Sequence, residues 1–198
     1  MFSKYDIYTT VQSIYCYPNS DVLRNKLNIH NKDELKRAEE EFSAVKQYVL
    51  LQEPIRGRFT KNHLFRIHRF LFEDIYPFAG RIRREQISKG NTLFYPPNLI
   101  DKELRHVFDK IHTGNMLSEQ NYNNQICNLS YIMSELNIIH PFREGNGRCI
   151  REMIRCMALE YGLELNWGNT DRETLLNAAI LSVDDDMAFC EVLKSCME

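Results

Sequence analysis

The chain has 198 residues, a formal net charge of −2, 43% hydrophobic residues and 26% charged residues, which suits one domain with a substantial core. This near balance of charge gives no polyelectrolyte signal, so we expect no direct partnership with nucleic acid. The sequence has no apolar run of about 18 residues, so no membrane span is expected. Its first residues lack the apolar core of a signal peptide, which favours a cytoplasmic protein.

The cysteines and histidines do not follow the spacing of a metal site. None of the cysteines forms a C-x-x-C pair, and we expect all of them to be reduced thiols: Cys16, Cys127, Cys149, Cys156, Cys190 and Cys196. The histidines at positions 30, 63, 68, 106 and 112 form no H-E-x-x-H pattern. A zinc site is therefore not expected.

The spacing of apolar residues predicts a mostly helical chain. Asn31 with Glu34 resembles a capping box. It begins a helix with one apolar stripe, formed by Leu35, Ala38, Phe42, Val45 and Val49. A second helix carries Leu64, Ile67 and Leu71. Further helices are predicted near residues 99–111, 122–138, 172–182 and 186–197, and a helix that follows position 147 carries the apolar residues Ile150, Met153, Ile154 and Met157.

One segment, residues 81–97, has a different character. Residues 81–88 and 92–95 flank Gly90-Asn91, which is typical of a two-residue hairpin turn. An isolated two-stranded ribbon is only marginally stable, so a plain surface connection is the alternative interpretation. The sequence shows no repeat and no linker. We predict an all-α helical bundle, a single domain over residues 1–198, that bears this small hairpin.

The run from His140 to Arg151 (HPFREGNGRCIR) is the most informative part of the sequence. Gly145 and Gly147 flank Asn146, so the backbone can expose successive N–H groups, and the helical pattern resumes at once. The loop therefore leads into a helix N-terminus, where unpaired amides and the helix dipole favour an anion.

The side chains of this run indicate phosphoryl or nucleotidyl transfer. Arg148 and Arg151 are three residues apart on one helix side and can hold phosphate oxygens together. Glu144 is suited to bind Mg²⁺, which takes one or two carboxylates besides phosphates and waters. His140 titrates near neutrality and can accept a proton from a hydroxyl.

Each feature alone has an ordinary explanation. A Gly-Asn-Gly is most often a turn, and helix arginines, Arg155 among them, are most often surface charges. Phe142 is expected only to anchor the loop in the core. The combination, and not any single residue, points to chemistry.

This run resembles the signature of the Fic family (filamentation induced by cAMP), His-Pro-Phe-x-Asp/Glu-Gly-Asn-Gly-Arg-x-x-Arg, and matches every fixed position. The resemblance implies a Fic fold and transfer of AMP from ATP to a Tyr, Ser or Thr hydroxyl of a target protein. It implies that His140 is the general base and Glu144 the Mg²⁺ ligand.

The same resemblance assigns the nucleotide-binding residues. Asn146 and the amides around Gly145 and Gly147 would form the anion hole, and Arg148 and Arg151 would hold the β- and γ-phosphates. Gly147 stands where Doc-type kinases have a lysine, which favours AMP transfer over phosphate transfer.

The resemblance also gives the hairpin a function, as a flap over about residues 81–97. Ile87, Ser88 and Lys89 would dock the target backbone by strand addition. Ser88, Lys89 and Gly90 would lie near the nucleotide. The flap would hold a target hydroxyl in line with the α-phosphorus, since positioning supplies much of phosphoryl-transfer catalysis.

An upstream stretch, residues 15–27, resembles the start of the toxin component of bacterial Fic toxin–antitoxin pairs, and Ser20 could also cap a helix there. The resemblance to that class implies that the targets are the ATPase subunits of DNA gyrase and topoisomerase IV. Many Fic proteins carry an inhibitory helix with the pattern Ser/Thr-x-x-x-Glu-Gly/Asn, and this sequence has no glutamate four residues after any Ser or Thr. Its nearest approach is Ser182 with Asp186. A separate small antitoxin with an inhibitory helix is therefore the expected partner.

Other activities remain open at this point. The chain could use another nucleotide, transfer phosphate or remove AMP. It could also be a nucleotide-dependent binding module without chemistry, although such a module needs neither His140 nor Glu144.

Overall fold

The computed structural model describes residues 13–90 and 92–197, which form a helical bundle with one two-stranded antiparallel hairpin. Its α-helices are α1 (Lys32–Gln52), α2 (Lys61–Phe72), α3 (Pro97–Thr113), α4 (Tyr122–Ile139), α5 (Asn146–Glu160), α6 (Arg172–Leu181) and α7 (Cys190–Cys196). The strands are β1 (Ser88–Lys89) and β2 (Thr92–Leu93), and Met116–Ser118 and Trp167–Asn169 are short 3₁₀ turns. The predicted fold class is confirmed.

Helix α5, which begins within the HPFREGNGRCIR run, is the central helix of the bundle. It packs between α2 and α4, and its predicted apolar face is buried: Ile150, Met153, Ile154 and Met157. Burying each such side chain contributes about 1.5–3 kcal/mol. Arg155 is not the surface charge that the sequence suggested, because it is buried and pairs with Glu152 through Nε and Nη2, both at 2.8 Å. The N-terminus of α5 is thus held on a rigid core.

Helix α1 begins as predicted, but its buried side is not the predicted one. The Asn31 side chain accepts a hydrogen bond from Glu34 N at 3.0 Å. Of the predicted stripe only Leu35 is buried, whereas Val45 is 65% exposed. The face turned toward the protein carries instead Leu35, Glu39, Ser43 and Leu50. Arg148 of α5 bonds to Glu39 and Ser43 on this face of α1. Hydrophobic periodicity cannot predict a buried face that contains polar residues.

The hairpin is shorter than predicted. Ser88 pairs with Leu93 and Lys89 with Thr92, which leaves two residues for the turn as the sequence indicated. The second of them, Asn91, lies outside the described residues. The arms do not continue as strands because their backbone groups bond elsewhere, as Arg83 N does to Pro141 O at 2.9 Å.

The two ends of the described chain also differ from expectation. Residues 15–27 form turns and one isolated bridge between Cys16 and Leu23, not a helix that Ser20 caps. The last helix begins at Cys190 and not near Asp186. All six cysteines are free of disulfides, with Cys149 and Cys156 buried on α5. Within residues 13–90 and 92–197, no helix is long and apolar enough to cross a membrane.

Candidate active site

His140 lies directly after α4 in the left-handed region, with φ 47° and ψ 63°. Its Nδ1 is 3.0 Å from the carbonyl oxygen of Asn137, and a carbonyl only accepts, so Nδ1 carries the hydrogen. In the neutral ring, Nε2 is then the acceptor. Burial, followed by the nearby charges of Lys89 and Arg83, lowers the pKa of His140 to about 3. The imidazole is therefore neutral at physiological pH and presents one basic nitrogen.

The loop after His140 requires glycine at position 145. Gly145 has φ 79° and is the N-cap of α5. A Cβ there would lie 2.3 Å from the Phe72 ring, so no other residue fits without moving α2. The close approach lets the first N–H groups of α5, which have no intrahelical partner, open toward the loop. These amides lie where the sequence predicted that an anion binds.

The side chain of Asn146 braces this loop internally. Its Oδ1 accepts from Phe142 N and its Nδ2 donates to Phe142 O, both at 2.9 Å. Asn146 is 3% exposed and Phe142 is fully buried, as predicted for the anchor of the loop. The Asn146 amide group is thus committed to Phe142 and holds the backbone of the loop in shape, so its predicted part in an anion hole would be indirect.

Glu144 is a half-buried carboxylate beside a second one. Its Oε1 accepts from Gly145 N at 3.0 Å. Burial, followed by the charge of Glu39, raises the pKa of Glu144. A divalent cation would offset both effects, and carboxylate oxygen is a ligand type that Mg²⁺ prefers. The donor chemistry at Glu144 therefore fits the predicted Mg²⁺. The described residues contain no cluster of three or more His, Cys, Asp or Glu, so phosphates and water would complete the coordination.

Arg148 is bound to α1. Its Nη1 donates to Ser43 Oγ at 2.7 Å, its Nη2 pairs with Glu39, and its guanidinium lies 4.8 Å from the centre of the Phe72 ring. The other oxygen of Glu39 accepts from the Tyr76 hydroxyl. Glu39 therefore already neutralises the charge of Arg148, one of the two arginines predicted to bind the phosphates. Glu39 does not belong to a Ser/Thr-x-x-x-Glu-Gly/Asn pattern. It pairs with Arg148, whereas the glutamate of that pattern would pair with Arg151.

Arg151 is in a different position from Arg148. Among the described residues it has no ion-pair partner, and burial together with the charge of Arg148 lowers its pKa to about 10. A Cβ on Gly147 would lie 3.3 Å from Arg151 Nη1, so the guanidinium extends over the first turn of α5. A half-buried cation next to unpaired amides is an arrangement that binds an anion.

The flap lies on the other side of His140. Phe94 stacks on the imidazole with 3.8 Å between ring centres and 14° between planes. Lys89 is exposed and close enough to lower the pKa of His140, in keeping with a position near the nucleotide. Ser88 is half-buried and Gly90 is exposed at the turn, with open space around it. Ile87 is only 3% exposed and its carbonyl accepts from Phe94 N at 3.3 Å, so it anchors the flap, and its predicted docking of a target strand stays a prediction.

Sequence reasoning missed a second histidine that shapes the site. The buried His68 accepts from Gly80 N at its Nδ1 (2.8 Å) and donates through Nε2 to the Glu144 carbonyl (2.9 Å). It stacks on Phe142 at 3.7 Å, and burial lowers its pKa to about 4. Nothing in its sequence neighbourhood marks it, since it is 76 residues from Glu144. Glu39, Arg83 and Phe94 were missed for the same reason.

Comparison with known proteins agrees with this geometry. A family model described as the Fic/DOC family matches residues 58–158. The chain is 33% identical over 168 residues to the protein adenylyltransferase VbhT of Bartonella schoenbuchensis, covering 85% of this chain and 35% of VbhT. It is 30% identical over 182 residues to the probable protein adenylyltransferase y4lH of Sinorhizobium fredii, covering 91% and 93%. The chain therefore spans about a third of the first relative and nearly all of the second.

The solved structures share the fold. The N-terminal Fic domain of a putative cell filamentation protein from Bartonella quintana, solved with bound ADP, superposes with a TM-score of 0.84 at 23% identity, covering 92% of this chain and 93% of that one. With the family model, the identity to curated relatives and the matching fold, the chain belongs to the Fic/DOC family.

Proposed function

We propose that this Fic family protein adenylyltransferase moves AMP from ATP to a Tyr, Ser or Thr hydroxyl of a target protein with the help of Mg²⁺. The observation that carries the proposal is the neutral His140, whose Nε2 is left as an acceptor while Nδ1 is bound to Asn137. This base stands at the loop that leads into an amide-lined helix N-terminus with Arg151 above it.

The reaction assigns one task to each group. The target hydroxyl oxygen attacks the α-phosphorus of ATP, and its proton passes to His140 Nε2. The bond between the α-phosphorus and the bridging oxygen breaks, and pyrophosphate leaves. Arg151 and the first amides of α5 bind the negatively charged phosphate oxygens. Arg148 also binds them when its ion pair with Glu39 opens.

The low pKa of His140 suits this reaction once ATP is bound. Lys89 and Arg83 contribute to lowering that pKa, after burial. Polyphosphate binding next to Lys89 would offset its charge, so the pKa of His140 rises toward the range where a general base works best. Glu144 would hold Mg²⁺, which supplies charge neutralisation between the phosphates and the protein.

We further propose that the protein is the toxin of a bacterial toxin–antitoxin pair. Support comes from the likeness of residues 15–27 to such toxins and from Arg151, which has no carboxylate partner among the described residues. A small antitoxin would then supply an inhibitory glutamate to Arg151. The ATPase subunits of DNA gyrase and topoisomerase IV are the proposed targets, which would place the reaction in the bacterial cytoplasm.

The test is label transfer from α-³²P-ATP with Mg²⁺ to purified gyrase and topoisomerase IV subunits and to bacterial lysate. We expect one discrete labelled band with the wild type and a loss of at least about 100-fold with His140→Ala, because the general base is removed. His106→Ala, which changes an exposed histidine on α3, is the matched control and retains the activity.

The same assay separates the alternatives. Label from γ-³²P-ATP in place of α-³²P-ATP would identify phosphate transfer. Binding of ATP with no label on any protein, in lysate as well as on the topoisomerases, would contradict enzymatic activity. A labelled band other than a topoisomerase subunit would retain AMP transfer and exclude the proposed target.

A further inference from the structure

Arg83 is a fully buried cation at the base of the flap, 1% exposed. Its guanidinium donates to backbone carbonyls on both flap arms: Nη1 to Glu85 O at 2.8 Å and Nη2 to Tyr95 O at 2.5 Å. The same group donates to the end of α4, from Nε to His140 O at 2.8 Å and from Nη2 to Ile139 O at 3.4 Å. One side chain thus joins both arms of the flap to the end of α4, which lies 56 and 57 residues further along the chain at Ile139 and His140.

The end of α4 has carbonyls that need such donors, because the last turn of a helix leaves them without intrahelical partners. His140 satisfies two of them, since its backbone N donates to Leu136 O at 3.1 Å and its Nδ1 lies 3.0 Å from Asn137 O. Tyr95 N, on the flap, donates to Ile138 O at 3.3 Å. The next two carbonyls are those that the buried guanidinium binds. The flap therefore completes the cap of the helix that ends at the catalytic base.

His140 adopts a backbone conformation that needs this support. A left-handed φ of 47° in a residue other than glycine is strained and persists only where neighbours hold it. The bond from Arg83 Nε to the His140 carbonyl holds it on one side. Phe94, next to Tyr95, holds the ring on the other by stacking at 3.8 Å. Both supports come from the flap.

We propose that Arg83 is a positioning residue for the transfer reaction, which fixes the flap against His140 so that the imidazole keeps its rotamer and its Nε2 keeps its aim. It touches no reacting atom. A cation also suits this location because the C-terminal end of α4 carries the negative end of the helix dipole. Movement of the flap on binding a target would therefore be transmitted to the base through this guanidinium. Only the expected effect on kcat rests on the proposed function.

The first test needs no activity. In protein labelled with ¹³C and ¹⁵N at histidine, we expect the Phe94 ring to shift the His140 ring protons of the wild type upfield, and the His140→Ala spectrum assigns them. Arg83→Lys keeps the charge but loses the planar fork that reaches several carbonyls at once. We expect its His140 ring signals to move toward unstacked positions. Arg84→Lys, the same change at the exposed neighbour, leaves them in place.

The second test compares kcat with ATP affinity. For Arg83→Lys we expect kcat to fall by about 100-fold, as displaced catalytic groups do. We expect the Kd for ATP, measured by calorimetry with Mg²⁺, to stay within about twofold, because Arg151 and α5 are untouched. If the wild type transfers nothing, the proposed function fails while the spectroscopic test still decides the role of Arg83.

Two results would overturn the proposal. One is an unchanged His140 ring signal in Arg83→Lys. The other is a parallel loss of kcat, ATP affinity and melting temperature, which describes a residue needed only for folding. Should Arg83→Lys not fold, Arg83→Gln replaces it, since its planar amide keeps one donor for these carbonyls and loses the others. Unchanged His140 ring signals and an unchanged kcat in Arg83→Gln then contradict the proposal.

Discussion

The loop at residues 140–147 and the flap tip at residues 88–93 face the same imidazole, but they are built differently. In the loop, the side chain of Asn146 and the ring of His68 bind backbone groups, so its shape is set before any ligand arrives. Within the described part of the flap tip there are two residue pairs, Ser88 with Leu93 and Lys89 with Thr92, and the flap is attached through its base. The comparison teaches that the groups around His140 are preorganised on the core, while the flap tip is held by fewer contacts.

The largest effect should come from placing the same small change in both regions. Gly145 and Gly90 both have positive φ, but a Cβ on Gly145 meets the Phe72 ring at 2.3 Å and a Cβ on Gly90 meets nothing within 4 Å. We expect Gly145→Ala to lower the free energy of unfolding by about 4 kcal/mol. Gly90→Ala should cost about 1 kcal/mol, from backbone strain alone. Urea unfolding measures both, and equal losses would refute the difference between the two regions.

The next effect separates the two motif arginines. Arg151→Met should weaken ATP binding by about 2–3 kcal/mol, the value of charge-assisted hydrogen bonds, and leave stability nearly unchanged. Arg148→Met should instead destabilise the fold, because it leaves Glu39 and Ser43 without their partner. Calorimetric titration with ATP and thermal unfolding distinguish the two. A stability loss in Arg151→Met that matches the loss in Arg148→Met would show that both are structural.

The third effect concerns pH and the buried His68. Its pKa is lowered to about 4, whereas the unfolded chain binds this proton near 6.5, so acid favours the unfolded state. The stability that His68 contributes is present above pH 6.5 and is lost as the pH falls below it. Between pH 7 and pH 5 this group should cost about 2 kcal/mol. His68→Gln keeps a donor and an acceptor, so its free energy of unfolding should fall by about 2 kcal/mol less than that of the wild type between pH 7 and pH 5. Urea unfolding measures this, and an identical pH dependence in the two proteins would contradict the lowered pKa of His68.

The smallest effect is expected at the flap tip. Lys89 is exposed, so Lys89→Ala should change the free energy of unfolding by less than about 0.5 kcal/mol. It should raise KM for the target protein and raise the pKa of His140, since the nearby positive charge is lost. A pH titration of the His140 ring by NMR checks the second point. A large loss of stability would show that the tip is as firmly built as the loop.

The helices, the hairpin turn and the motif could be predicted from the sequence because each depends on residues that are close together in the chain. The helices with a strong apolar period, such as that of Ile150 and Met153, were found because burial repeats locally. Gly90-Asn91 indicated the turn because short hairpins need such residues. The motif could be recognised because its residues lie within twelve consecutive positions.

What could not be predicted lies in contacts between distant segments. Glu39 is 109 residues from Arg148, and α1 presents it on a face that hydrophobicity would call exposed. Arg83 reads as one of several arginines in a polar segment, yet it is buried because the carbonyls of two other segments surround it. Such pairs depend on how helices pack, and no local pattern encodes them.

The buried thiols of α5 have a consequence for how this protein responds to oxidants and electrophiles. Burial raises the pKa of Cys149 and raises that of Cys156 to about 12, so neither forms a reactive thiolate at neutral pH. Cys127 on α4 is exposed. Alkylating agents should therefore modify Cys127 and spare the helix that carries Arg151. Cys127 thus offers an attachment point for a fluorophore away from α5.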